Sequence, residues 1–287
     1  MITRDEIENL RDLTFHRTAQ LRITSIAAAL EFINQVGFCY AFSARNSELP
    51  CLWHAACGER QPKYPVHTHE DPNIGLVWEA KDILAESKAI YYGKAIKRHP
   101  SMISLELFSS FYVLRRGNQN SDAYLTAYLR GELSPDAKRI YEALLEQSPM
   151  VTSELKLASN LAHPAKRTAF DRAMAELQMK FYLVKIAEFY DPFSFLWDLV
   201  EKRFSQEIAQ SRGLDPATAR ARILRQYFSN IQAATPIQIQ RLLDWSRPDI
   251  MSALDALQKE GFISDGIRIE NEKHDFWGLT FLRTESY

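Results

Sequence analysis

The feature that most constrains this chain is an order of local signals that occurs twice in its second half. In the first copy Ser134 precedes Pro135, an N-cap followed by proline at the first helical position. Ile140, Ala143 and Leu144 then fall on one helical face. Pro149 ends that helix, and Thr152 is expected to cap a short second one with Leu155 and Ala158 inward. His163-Pro164 breaks the chain before a longer helix carrying Phe170, Met174 and Leu177. Phe181, Leu183 and Ile186 then predict a strand, Asp191-Pro192 a turn, and Phe193, Phe195 and Trp197 a return strand.

The second copy repeats the order. Asp215-Pro216 caps a helix through Ile223, Leu224 and Tyr227, and Thr235-Pro236 caps a short one through Ile239 and Leu242. Ser246 opens a third through Ile250, Leu254 and Leu257, and Gly261 stops it. Phe262 to Ile269 predicts a hairpin turning at Asp265-Gly266. Three helices followed by a hairpin is the pattern of a winged helix, with the third helix in the recognition position. The expected fold class is therefore mainly α with small β-hairpins, in tandem winged-helix units. The expected divisions are 1–130 (an N-terminal winged-helix-like domain), 131–204 and 205–287. Tandem units of this kind point first to nucleic acid.

Charge makes any such binding local. The formal net charge is -1, which supplies no global attraction to phosphate. Around the first recognition helix, however, Lys166, Arg167, Arg172, Lys180 and Lys185 outnumber Asp171 and Glu176. These cations are either phosphate contacts or a solvated helix face. In the second copy Arg241 and Arg247 stand against Asp244, Asp249 and Asp255, which fits a spacer or protein-binding surface.

With 287 residues, 46% of them hydrophobic, the chain is long enough for two or three small cores. No apolar run approaches membrane-spanning length, and the N-terminus lacks the basic and apolar regions of a signal peptide. A cytoplasmic location with no membrane contact is expected. The three cysteines, Cys39, Cys51 and Cys57, are expected to be reduced.

In the N-terminal half, Thr24 or Ser25 caps a helix with Ile26, Leu30 and Ile33 inward, ending at Val36-Gly37. Phe38 to Phe42 follows as an apolar, aromatic run, and Leu49-Pro50 leads into a short helix with Leu52 and Trp53. A polar loop from Glu59 to Pro72 precedes a block, Val77 to Arg116, rich in aromatic and basic residues. There Lys81 and Lys94 are candidates for phosphate contacts. Gly117 to Asp122 is expected to be a linker or loop tip. Cys51, His54 and Cys57 recur at three-residue spacing ahead of His67, His69, Glu70 and Asp71. That offers a rival zinc reading, against which the cysteines flank what should be a buried helix. No metal or cofactor is expected.

The helix closing in Gly37-Phe38, the stretches Val77-Trp78-Glu79-Ala80-Lys81-Asp82 and Tyr91-Tyr92-Gly93-Lys94, and the downstream repeats together resemble the AlkZ/YcaQ group of winged-helix DNA glycosylases. The likeness is stronger to its shorter AlkZ-related branch. Phe195 to Phe204 is similar to the segment that connects that family's second and third winged helices. The resemblance implies a scaffold of three winged helices around a DNA-embracing channel, in which alkylated or crosslinked bases are released by hydrolysis of the glycosidic bond. It also implies a catalytic signature of glutamine, an apolar residue, then aspartate or glutamine, whose polar groups orient water and stabilise the developing oxocarbenium charge.

Aligning Gly37 with the family's glycine puts Tyr40, Ala41 and Phe42 on that signature, so both polar positions have become aromatic. A phenylalanine has no lone pair for water, and a phenol with a pKa near ~10 is a poor base at neutral pH. Gln238-Ile239-Gln240 matches the signature by letter but belongs to a short helix far along the chain, where it is expected to be a solvent face around a buried isoleucine. The expectation is a monomeric duplex-DNA-binding protein that recognises damaged or distorted DNA with altered or absent excision. The alternatives are an active glycosylase using other residues and a winged-helix transcriptional regulator, the latter a dimer on a palindrome.

Overall fold

The computed structural model describes residues 1–44, 48–117 and 123–283. The chain opens with α1 (Arg4–Thr14), α2 (Ile26–Val36), β1 (Phe38–Tyr40), α3 (Leu52–Cys57) and α4 (Pro72–Glu86). A hairpin of β2 (Ile90–Ile96) and β3 (His99–Ser104) follows, then α5 (Leu105–Arg116) and α6 (Ala123–Leu129). The middle holds α7 (Pro135–Glu146), β4 (Met150–Val151), α8 (Thr152–Ala158), a 3-10 turn Pro164–Lys166, α9 (Arg167–Met179), β5 (Leu183–Tyr190) and β6 (Phe193–Leu199). Two short helices, α10 (Val200–Arg203) and α11 (Ser205–Ser211), come next. The last stretch is α12 (Pro216–Ile231), β7 (Ala233–Ala234), α13 (Pro236–Leu243), α14 (Arg247–Lys259), β8 (Ile263–Ile267) and β9 (Phe276–Leu279). Helix, short strand, two helices and two strands thus recur three times along the chain, starting at α2, α7 and α12.

Two compact units contain these elements, Met1–Ala80 with Leu214–Tyr287, and Lys81–Gly213. In each of the two C-terminal repeats the short strand pairs with the last strand, giving the sheet orders β4-β6-β5 and β7-β9-β8, all antiparallel. The helical faces are those that the spacing predicts. Ile140, Ala143, Leu144, Phe170, Met174 and Leu177 share one core with Trp197 and Leu199, and Ile223, Leu224, Tyr227, Ile250, Leu254 and Leu257 are buried in the other unit.

Capping explains the helix starts. Ser25, Ser134, Asp215, Thr235 and Ser246 each accept a backbone N–H from the first turn of their helix. Asp71 does the same for α4, accepting from Asn73 N–H and Ile74 N–H at 2.9 Å. Helix α1 was open to the same reading. Thr3 accepts from Glu6 N–H while the Glu6 carboxylate accepts from Thr3 N–H, a capping box written as Thr3-Arg4-Asp5-Glu6.

Several expectations are corrected. Thr152 does not cap α8. It is the first helical residue, and its hydroxyl accepts from the Trp197 indole N–H at 3.0 Å and donates to Phe195 O at 3.2 Å. On α8 Ala158 is exposed and Ser159 is buried in its place, its hydroxyl bonding back to Leu155 O. The inward face of α2 is Ala29, Phe32, Ile33 and Val36, one residue round from the expected stripe, so Ile26 and Leu30 are only half-buried.

Asp265-Gly266 is not a hairpin turn. It lies inside β8, where Gly266 at φ 70 sits in an irregularity between the Ser264↔Gly278 and Ile267↔Phe276 pairs. The return strand is Phe276–Leu279, too short and too far away to read from the sequence. Residues 118–122, most of the expected linker, lie outside the described residues.

In the Lys81–Gly213 unit, Arg116 of α5 is 5% exposed. Its guanidinium meets Glu201 at 2.5 Å and lies over the Tyr182 ring, 3.6 Å from the centroid. Glu201 is 31% exposed, so removing Arg116 leaves its carboxylate only partly desolvated and takes away the packing over Tyr182. Arg116→Ala is expected to lower the unfolding free energy by about 2 kcal/mol, read by urea denaturation. A loss within the range of a surface substitution would show that Glu201 is solvated without it.

Candidate nucleic-acid interface

The third helix of the middle repeat, α9, begins where His163-Pro164 stops the preceding loop. His163 Nδ1 accepts from Ala165 N–H at 3.3 Å, and the 3-10 turn Pro164–Lys166 runs into Arg167. Because Phe170, Ala173, Met174 and Leu177 take the inward face, Arg167 and Arg172 are left exposed. Lys166 is half-buried and donates to Asn160 O at 2.9 Å, which holds it beside Arg167. Lys180, at the other end of the helix, donates to the Glu132 carbonyl and lies 3.6 Å from Glu176, so it ties α9 to the segment before α7.

Strand β2 is clipped to this helix. Tyr91 O–H donates to Gln178 O at 3.2 Å, and Lys94 N–H donates to Gln178 Oε1 at 3.1 Å, while the Lys94 side chain is exposed. Between β2, α9 and the β5–β6 hairpin lies a cavity of about 470 Å³, walled by Tyr92, Phe170, Phe195 and Trp197 with Lys185 and Glu188.

Lys81 and Lys185, expected beside Arg167 and Arg172 as phosphate contacts, are 8% and 6% exposed and paired. Lys81 meets Asp82 at 2.6 Å and Glu188 at 2.7 Å. Lys185 contacts Glu188, lies 3.4 Å from Asp82 and sits 4.6 Å from the Tyr92 ring centroid. Burial pushes the Lys185 ammonium below the usual lysine range, although Glu188 opposes that shift. Burial also works to raise the Asp82 carboxyl, but hydrogen bonds from Lys81 and Tyr190, the latter at 2.5 Å, outweigh it and hold Asp82 below its ordinary value. The cluster balances two cations against two carboxylates. Asp82 and Glu188 are 106 positions apart, so their approach is not legible in sequence.

In the other unit the segment expected on the family's catalytic signature is tied to α3. Tyr40 N–H donates to Pro50 O at 2.9 Å, and Ala41 O accepts from Trp53 N–H at 3.1 Å. Tyr40 and Ala41 are buried and Phe42 is half-buried. Among the described residues no group of three or more His, Cys, Asp or Glu side chains is placed to hold a metal ion, so Cys51, His54 and Cys57 form no ligand set. Cys51 points back to Ala41 O at 3.8 Å, and burial pushes its thiol up to about 12. His54 Nε2 pairs with Ser43 Oγ at 2.6 Å.

Glu48 is the polar group that sequence reasoning missed. It lines a cavity of about 540 Å³ together with Arg11, Gln238, Arg241 and Arg247. Gln238 Nε2 donates to Glu48 Oε1 at 3.1 Å while Gln238 Oε1 accepts from Thr235 N–H, so this glutamine is a helix-capping residue bonded to a carboxylate. Ile239 is buried as expected.

His54 sets a pH dependence. Burial, with the Arg17 charge second, lowers its pKa from 6.5 to about 4. The folded state then binds fewer protons than the unfolded chain between those values, so this contribution is complete above pH 6.5 and is lost as pH falls towards 4. Because the ring is partly exposed, solvent screening reduces the full effect to on the order of 2 kcal/mol. Stability should decline over that window, and His54→Gln, which keeps a partner for Ser43, should flatten the decline. An unchanged pH profile in the variant would assign the decline to other groups.

Comparison with known proteins places this geometry. None of the curated proteins matches the chain. Among solved structures, the Streptomyces sahachiroi DNA glycosylase AlkZ superposes with a TM-score of 0.61 at 11% identity, over 98% of this chain and 71% of that one. At that identity the likeness establishes the fold, mainly helical with small antiparallel sheets. The family model described as AlkZ related matches residues 23–244. Since that span covers well over half of the sequence, the chain belongs to the AlkZ-related family.

Proposed function

We propose that this chain is a duplex-DNA-binding protein of tandem winged helices, in the consecutive divisions 1–130, 131–204 and 205–287, acting as a cytoplasmic monomer on damaged or distorted DNA. The observation that carries the reading is α9, a third helix with its apolar face in the core and Arg167 and Arg172 free to meet phosphate at its exposed N-terminal end. Lys166 and Lys94 extend that basic surface. Lys81 and Lys185 support it from beneath, buried and paired, by fixing α4 and β5, while partly exposed Lys180 is tied to Glu132 and Glu176.

Binding should be non-specific and salt-sensitive, because a local patch on a chain of net charge -1 displaces only a few counterions. Changing Lys166 and Arg167 together to Ala is expected to flatten the dependence of log K on log salt by about two units. A slope equal to that of the unaltered protein would take α9 off the DNA.

Excision by the relatives' mechanism is expected to be absent, since buried Tyr40 and Ala41 and half-buried Phe42 occupy the positions where water must be oriented. Losing that assistance is typically worth about 10²–10⁴-fold in rate. A second reading, excision by other residues, is favoured by Glu48, whose carboxylate stands with the Gln238 amide in an arginine-lined cavity. Single-turnover assays on duplexes carrying an N7-alkylated purine decide between the two. No abasic product supports recognition without chemistry. Product that survives Tyr40→Phe but is lost on Glu48→Gln supports the second reading and sinks the first.

A further inference from the structure

The β2–β3 hairpin turns through two residues, Lys97 and Arg98, closed by the Ile96↔His99 pair. Both turn residues lie in the left-handed region, at φ 51 and φ 61. Turns of this kind strongly favour Asn-Gly, because a β-carbon with a long side chain crowds the backbone there. Two consecutive long cationic side chains are therefore held against local preference, and residues kept in such conformations concentrate where a site needs them.

The stem beneath them is packed and hydrogen-bonded, with a register irregularity between Gly93 and Ile96. Ala95 and Ile96 are buried, and fully buried Ser101 accepts from Ile96 N–H at 3.3 Å while donating to His99 O at 2.7 Å. The tip itself is exposed, as is Lys94 below it. Among the described residues, no carboxylate lies within 4 Å of the Lys97 or Arg98 side chain. In the same unit Lys81, Lys138, Lys180 and Lys185 all face carboxylates. Two adjacent unneutralised cations thus stand on a tight turn, and Gln178 fastens its strand to α9.

We propose that this hairpin tip is a second phosphate-binding element, in which Lys97 and Arg98 contact the backbone of the duplex that α9 engages. The inference rests on the DNA-binding reading above. A two-residue tip with long cationic side chains suits the phosphates bordering a groove, and it makes sequence-independent contacts that add directly to the salt dependence.

The test separates charge from backbone. In Lys97→Asn/Arg98→Gly the turn receives its preferred residues and loses both cations, so Tm should equal or exceed that of the unaltered protein. The salt slope of binding to a short random-sequence duplex should fall by about two units. Lys97→Gln/Arg98→Gln removes the charge without optimising the turn and should give the same loss of slope. A wild-type slope in both variants, with Lys166→Ala/Arg167→Ala still reducing it, overturns the tip and leaves the DNA-binding reading standing. Failure of the unaltered protein to bind duplex at low salt overturns both.

Discussion

Much of the Lys81–Gly213 unit depends on the burial of one tyrosine. Tyr91 of β2 is fully buried, its ring stacked on Phe181 at 4.6 Å and within 6 Å of Phe108 and Phe204, while Phe108 stacks on Phe204 at 4.6 Å. Those rings come from β2, α5, the entrance to β5 and the junction of α10 with α11. Its hydroxyl could not be buried without a partner, and it finds one in the last turn of α9 by donating to Gln178 O. One side chain thereby fixes the distance between a hairpin and the helix expected to face DNA. Phe181, at φ 56, follows as the residue that must leave α9 and enter the core within two positions.

Charge is partitioned by the same packing. Of the cations around α9, those on its inner side and on the adjoining strands are desolvated and balanced by carboxylates, which is the condition for burying an ammonium at all. Those on the outer side, Arg167 and Arg172, remain in water with their charge available. A chain with nearly equal numbers of acids and bases can present a basic surface in this way, by using its acids internally. In the other unit Arg11 donates to Ile231 O at 2.8 Å and pairs with Glu8, and Arg17 pairs with Glu8 and Asp12, so these arginines are committed to holding α1 in place.

The family relationship and the site chemistry pull apart at one short segment. The chain belongs to the AlkZ-related family, yet the segment expected to carry that family's signature holds buried Tyr40 and Ala41 and is bonded to α3. Polar atoms suited to water do occur in this unit, at Glu48 and Gln238 and at Ser43 and His54. They arrive from different parts of the chain, which is why Gln238-Ile239-Gln240, a match by letter, was no guide to where its side chains would be.

What the sequence determined by itself was local. Ser134-Pro135, Asp215-Pro216, Thr235-Pro236 and Ser246 start helices because a short polar side chain can satisfy the orphan amides of a first turn, and the apolar spacing of α7, α9, α12 and α14 decides which faces are buried. Asp191-Pro192 turns one hairpin for similarly local reasons. Only the tertiary structure decided the rest. Thr152 became a partner for the Trp197 indole instead of a cap, Asp265-Gly266 became a bulge because its strand had to pair with Phe276–Leu279, and Lys81 and Lys185 lost their solvent to Asp82 and Glu188. Each of these outcomes turns on which group from a distant segment arrives within hydrogen-bonding distance, and desolvation makes that arrival decisive for a buried polar atom.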